Sequence, residues 1–346
     1  MSNNLIVDTG LNVFGENNQN GICLNTNVLN VKSISVDNIS NGSSFIDQTS
    51  VGSSIIGGEC GLIATQSSYS SILGGYRNNI FYYSSRSSIL GGGTSYIVGS
   101  SNASIIGGGN NKLYFSDNAS VIGGNVNRIC NSSPSSAILG GCSNCVVCSC
   151  QSTISGGQYG IINQYSYRST IMAGYKNCIT DCSRQSSIMG GKCNCVQFGS
   201  NYSSVIGGLC NSIQTTSNYS SIIGGRCNSI QTTGPNSTII SSISSNISYS
   251  DNAHIIGGRN SSILQSNKAV LIGGDANSIY ASSYSVIIGG YSTSLCNQPN
   301  TVLVPNFIIS GSMSPDNGSN FGIDLVHTIG GHTFTFCNGI LVNFTP

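Results

Sequence analysis

Two consecutive lines of seventeen residues, SNYSSVIGGLCNSIQTT (Ser200–Thr216) and SNYSSIIGGRCNSIQTT (Ser217–Thr233), differ only at Val205/Ile222 and Leu209/Arg226. A near-identical tandem copy means that one structural unit has been duplicated, so the chain must be read as a repeat before anything else. The phrase S-x-I-I-G-G-x-x-N-x-I recurs along most of its length. Its first glycine falls at Gly57, Gly74, Gly91, Gly107, Gly123, Gly140, Gly156, Gly190, Gly207, Gly224, Gly257, Gly273 and Gly289, with Ala173 and Ser241 standing in at two sites. All fourteen steps between these fifteen anchors are sixteen or seventeen residues. Positions below are counted from the anchor, taken as zero.

Position −2 is apolar in every unit, from Ile55 to Ile287, and so is position +6, from Ile63 to Leu295. The two lie eight residues apart, and eight or nine more lead to the next unit. Each unit therefore has two similar halves, each a short strand and a turn, and the Ile/Val bias favours strand over helix. Gly-Gly gives the backbone freedom for one corner. These features predict an all-β fold: a parallel β-solenoid, a flattened two-sheet β-roll of about fifteen coils, with terminal caps. At about 4.8 Å per coil the rod would be on the order of 70 Å long.

Three segments follow. Residues 1–42 form an N-terminal cap or attachment segment, with strand-like Leu5–Val7 and Val28–Val36. Residues 43–296 form the solenoid. Residues 297–346 form a C-terminal β cap, where Asp316–Gly318 signals a turn and His332–Phe336 and Gly339–Phe344 read as a hairpin.

Position −1 bears most directly on function. It holds Ile56, Leu73, Leu90, Ile106, Ile122, Leu139, Met172, Met189, Ile206, Ile223, Ile240, Ile256, Ile272 and Ile288, broken only by Ser155. Neighbouring strand residues point to opposite faces, so −1 and −2 cannot both fill the interior of a straight strand. Either the Gly-Gly corner bends both inward, or −1 forms a long exposed apolar row of the kind that drives association. The second alternative predicts a parallel homotrimer about a common axis.

Asparagine recurs at +4 and predicts an amide ladder from coil to coil. Tyr69, Tyr202, Tyr219 and Tyr284 share position −5, where they serve either coil-to-coil edge packing or contact with a glycan or protein. Among fifteen cysteines, Cys193, Cys210 and Cys227 share position +3, and Cys178 and Cys195 share +5. Each column is a disulfide or a free-thiol ladder. The run Cys142-x-x-Cys145-x-x-Cys148-x-Cys150 also admits a metal reading, against which stands cysteine's ordinary use as a small apolar filler.

Charged residues make up 7% of the chain and the net charge is +1, with no basic stripe. Nucleic acid is thus not an expected partner. Acidic residues are dispersed, with no carboxylate pair on neighbouring coils as glycoside hydrolysis needs, and no cofactor is expected. Met1–Asp8 lacks a charged then apolar pattern, and no window approaches the ~18–20 apolar residues of a membrane helix. The expectation is a protein outside the ordinary secretory route, with no membrane insertion.

The S-[IV]-I-G-G-x-x-N-x-I repeat over Ser54–Leu295 resembles the head of YadA-like trimeric autotransporter adhesins. It resembles still more the I-G-G-x-x-N repeats in fibre-like proteins of tailed phages and giant DNA viruses. The resemblance implies a trimeric left-handed parallel β-roll that binds host surfaces. It makes a non-enzymatic fibre or spike on a virion surface the first functional expectation, joined to other virion proteins through a terminal segment. A bacterial adhesin head is the alternative, and a glycan-degrading tailspike the less favoured third.

Overall fold

The computed structural model describes residues 44–305, together with the backbone of Asn38–Ile39, Leu325–Ile329, His332–Cys337 and Ile340–Thr345. The strands expected at Leu5–Val7 and Val28–Val36, and the turn at Asp316–Gly318, lie outside the described residues. The chain divides into two units, Met1–Val304 and Pro305–Pro346.

The first unit is a parallel β-solenoid. Strands ending at the Gly-Gly corner stack into one 17-stranded sheet, and those carrying +6 into a 16-stranded sheet. Register is kept from coil to coil: Val205 pairs with Ile222 and Ile213 with Ile230, so like residues stand one above another. Parallel pairing runs from Asn38–Ile39 to Val302–Leu303. The −2 and +6 side chains meet between the sheets as a single column of Ile, Val and Leu, all at most 1% exposed. Among the described residues no helix is long and apolar enough to cross a membrane.

Each coil must reverse twice within sixteen or seventeen residues, and it does so with left-handed residues at fixed places. Besides the glycines, position +3 (Cys210, φ 54°) and position −5 (Tyr202, φ 56°) are left-handed. Such conformations cost an L-residue roughly 1–2 kcal/mol. Here the cost is offset by backbone bonds between coils, such as Tyr202 N–H to the Arg184 carbonyl at 2.9 Å. The variation in coil length is absorbed at one corner. Seventeen-residue coils carry two left-handed residues there, as at Thr65 and Gln66 (φ 56° and 55°), and sixteen-residue coils one, as at Phe115 (φ 49°). The strands and both other corners are therefore unchanged by the extra residue.

Two buried serine columns flank the apolar core at −7 and −4, with Gly234 replacing serine in the first and Ala103, Ala119, Ala253 and Ala269 in the second. The hydroxyls accept from the backbone N–H one coil on, and most of them also donate to a carbonyl. Ser203 Oγ, for example, accepts from Ser220 N–H at 3.2 Å and donates to the Ser217 carbonyl at 2.9 Å. The corners thus satisfy backbone groups that the short strands leave unpaired.

The asparagine column is buried, but its bonding is not the expected amide to amide. Asn194 Nδ2 donates to the carbonyls of Gly190 at 2.9 Å and Gly207 at 3.1 Å, while its Oδ1 accepts from Asn211 N–H at 3.0 Å. The backbone of the glycine corner and of the next coil takes both the donor and the acceptor of each amide. The ladder is side chain to backbone.

The second unit holds a three-stranded antiparallel sheet, Leu325–Ile329, His332–Cys337 and Ile340–Thr345. The expected hairpin forms its last two strands, and the preceding strand joins it.

Candidate interaction faces

The outer face of the first sheet carries positions −3 and −1. Position −3 holds Ser, Thr, Ala, His254 or Val, and position −1 holds the apolar residues singled out above. Strand alternation sends the −2 side chain inward, so the −1 side chain stands in solvent. The Gly-Gly corner does not bend both inward. Ile56, Leu73, Leu90, Ile106, Ile122, Leu139, Met172, Met189, Ile206, Ile223, Ile256, Ile272 and Ile288 are between 36% and 55% exposed on the single chain. Ile240 is half-buried. The result is a row of large apolar side chains along the sheet, in register from coil to coil and interrupted at Ser155.

The second sheet presents a different face. Its positions +5 and +7 are mixed: Lys112 lies 5.7 Å from the Tyr96 ring centroid and Arg128 5.7 Å from that of Tyr114. Further along, Gln197 Nε2 donates to Gln214 Oε1 at 3.4 Å. This face is polar and irregular where the first is apolar and uniform.

The cysteines singled out from the sequence separate into three arrangements. Cys178 and Cys195, directly paired on adjacent strands with Cα atoms 4.8 Å apart, form a disulfide. Cys193, Cys210 and Cys227 stack at +3 as free thiols. Desolvation, then the neighbouring Cys193 and Cys227, raises the pKa of Cys210. Cys142, Cys145, Cys148 and Cys150 are spread over the +2 corner, the second sheet, the +8 corner and position −6, so their sequence proximity does not gather them.

A pair that sequence reasoning missed is Cys130 with Cys145. Cys130 follows Arg128 by two residues, and Arg128 pairs with Cys145 on the next strand, so all three share one face. A hydrogen bond from Cys145, aided by the Arg128 guanidinium, holds the buried Cys130 thiol well below the ordinary range, and the same contact pushes Cys145 up. The only signal was that +7 and +5 of neighbouring coils lie on one side of a sheet.

At position −5, Tyr69, Tyr202, Tyr219 and Tyr284 are all exposed. Tyr202 and Tyr219 stack with ring centroids 4.8 Å apart and planes 5° from parallel, a direct product of identical coils. Tyr284 meets Lys268 from the preceding coil at 4.9 Å, whereas the Tyr69 ring lies over Gly52. Arg259 and Asp275, stacked at the +2 corner, form an ion pair at 2.6 Å that lowers the Asp275 pKa.

No protein-family model and no curated protein matches the chain.

Proposed function

We propose that this protein is a structural fibre or spike component, a homotrimeric β-solenoid displayed on a virion surface for attachment or decoration. The observation that carries the reading is the apolar row at −1. Burying large aliphatic side chains is worth about 1.5–3 kcal/mol each relative to exposure, so a row of thirteen leaves a large driving force unused on the single chain. The row is one residue wide and runs along most of the sheet, from Ile56 to Ile288, which suits several parallel rods meeting along a shared axis better than one broad flat contact. Cyclic closure about that axis leaves no unsatisfied edge, and a trimer agrees with the resemblance of the repeat. The mixed face of the second sheet and the tyrosine-bearing corners would then face outward.

The role in this reading is mechanical and adhesive. The core is filled by aliphatic columns, and the buried serine and asparagine columns bond mainly to backbone. Among the described residues the buried side-chain atoms Ser95 Oγ, Asn163 Oδ1 and Asn246 Oδ1 are the exceptions, without a partner. A terminal segment would join the fibre to other virion proteins. The test is to probe purified virus particles with an antibody against the solenoid and image the labelled particles. The expected result is label on surface projections. Label confined to infected-cell fractions without particles would overturn the virion assignment.

A further inference from the structure

The −6 and −5 positions of four consecutive coils, between Cys150 and Tyr202, enclose an open cleft of about 390 Å³ lined by Gln151, Tyr167, Arg168, Arg184, Gln185 and Tyr202, among others. That volume lies within the range of small-ligand sites, roughly 300–1,000 Å³. The geometry arises from the repeat. Arg168, Gln185 and Tyr202 are all left-handed (φ 55°, 54° and 56°) and sit at the apex of the corner, so their side chains leave successive coils in the same direction. Each backbone is tied to the coil before it, Gln185 N–H donating to the Tyr167 carbonyl at 2.9 Å.

Contacts between coils then set the side chains. Arg168 Nε donates to Gln151 Oε1 at 2.8 Å, which holds the guanidinium by its inner edge and leaves the terminal nitrogens free to donate. The Arg184 guanidinium lies 5.2 Å from the centroid of the Tyr167 ring. The stacked Tyr202–Tyr219 pair extends one wall as an aromatic platform. Two arginines on adjacent coils thus flank one cleft, and no carboxylate lines it. Among the described residues the ion pair is Arg259 with Asp275, so both arginine charges here are uncompensated.

We propose that this cleft is a binding site for an acidic sugar, with a carboxylate or sulfate held by Arg168 and Arg184 and the sugar face laid on Tyr202. Planar guanidinium groups bind oxyanions through paired hydrogen bonds. An exposed tyrosine offers a flat apolar surface with a polar tip, and Gln151 and Gln185 supply amides for sugar hydroxyls. The inference rests on the attachment reading above and names the ligand class for it.

The test uses the full chain and three probes: 3′-sialyllactose, a heparin-derived hexasaccharide and neutral lactose. Saturation-transfer NMR detects binding and calorimetry measures it. Binding of either acidic probe, with lactose at least about tenfold weaker, is expected, because a charged hydrogen bond lost without replacement costs at least that factor. Sialyllactose alone identifies carboxylate as the group, and heparin alone, with binding lost on its desulfated counterpart, identifies sulfate. The paired change Arg168→Gln and Arg184→Gln should weaken the acidic probe at least about tenfold, while Arg86→Gln, in the same column outside the cleft, should not. On the unaltered protein the affinity should fall as sodium chloride rises.

Equal binding of lactose, indifference to the paired change or to salt, or no binding of either acidic probe would overturn the inference. The mass of the same sample separates this failure from that of the fibre reading. A trimer that binds neither acidic probe loses the sugar site alone, and a monomer that binds one keeps the site and loses the trimer.

Discussion

Alanine at Gly207 and at Gly208 should have sharply different costs, although the two glycines are adjacent and both left-handed (φ 69° and 84°). Either substitution carries the conformational penalty of an L-residue there, about 1–2 kcal/mol. A Cβ on Gly207 would meet no atom within 4 Å. A Cβ on Gly208 would collide with the Asn211 amide and come within 2.5 Å of the Gly225 carbonyl oxygen and 3.0 Å of the Gly224 carbonyl carbon. The latter two belong to the backbone of the next coil and cannot step aside. Overpacking of this kind costs about 1–3 kcal/mol. Expelling Asn211 strands its donors to the Gly224 and Gly225 carbonyls and its acceptor for Asn228 N–H, at about 1–3 kcal/mol for each buried group left unpaired. The Gly225 carbonyl keeps its bond from Leu209 N–H, so two groups are left unpaired, and Gly208→Ala should be more destabilising than Gly207→Ala by on the order of 3–9 kcal/mol.

The chain contains its own compensating design. The one coil with serine in place of the second glycine, Ser242, also has serine, Ser245, where asparagine would stand. Ser242 Oγ donates to the Gly258 carbonyl at 3.3 Å, and Ser245 Oγ accepts from Ser261 N–H at 3.2 Å, so two hydroxyls divide the work of one amide. Gly208→Ser with Asn211→Ser should recover most of the stability lost by Gly208→Ser alone. Because a repeat array need not unfold in one step, the assay is hydrogen exchange of amides in the surrounding coils, read beside the denaturant midpoint. Equal effects of the two alanines, or no recovery in the paired variant, would refute the reasoning.

Ser95 occupies the asparagine position, and its buried hydroxyl has no hydrogen-bond partner. With Gly92 beside it, Ser95→Asn should complete the ladder and raise stability by about 0.5–1.5 kcal/mol, visible as a higher denaturant midpoint. A lower midpoint would show that the site rejects an amide. The Cys178–Cys195 disulfide closes a span of 17 residues, so reductant should lower the melting temperature of the unaltered protein by an amount corresponding to about 3 kcal/mol. It should leave Cys178→Ser with Cys195→Ser unmoved, and equal shifts in both would place the redox effect elsewhere.

How much could be read from the sequence followed from what a column can and cannot say. The inward places of positions −2 and +6 were legible because a core column tolerates only apolar side chains, as Val205 and Ile222 show at the first and Ile213 and Ile230 at the second. The exposure of Ile206 and Ile223 was one of two outcomes the pattern allowed, the other being a corner bent inward, and the structure decides for exposure. Residues whose partners are backbone atoms were not legible. Asn194 and Ser203 look like any polar column, and only coordinates reveal that they bond to carbonyls and N–H groups of the next coil. The paired left-handed residues at Thr215 and Thr216 were hidden for a different reason: coil length reports that a residue is added, not where. Cys130 and Cys145 escaped because they sit at different positions of neighbouring coils and meet only diagonally.

The central claim is that the exposed −1 row holds copies of this chain together, and light scattering of the purified protein tests it most directly. The account predicts a mass three times 35.8 kDa, with or without reductant. It predicts a fall to the single-chain mass when Ile206→Asp and Ile223→Asp place charges in the row, with the circular-dichroism spectrum of the sheets retained. A single-chain mass for the unaltered protein, or a trimer indifferent to the two aspartates, would contradict it.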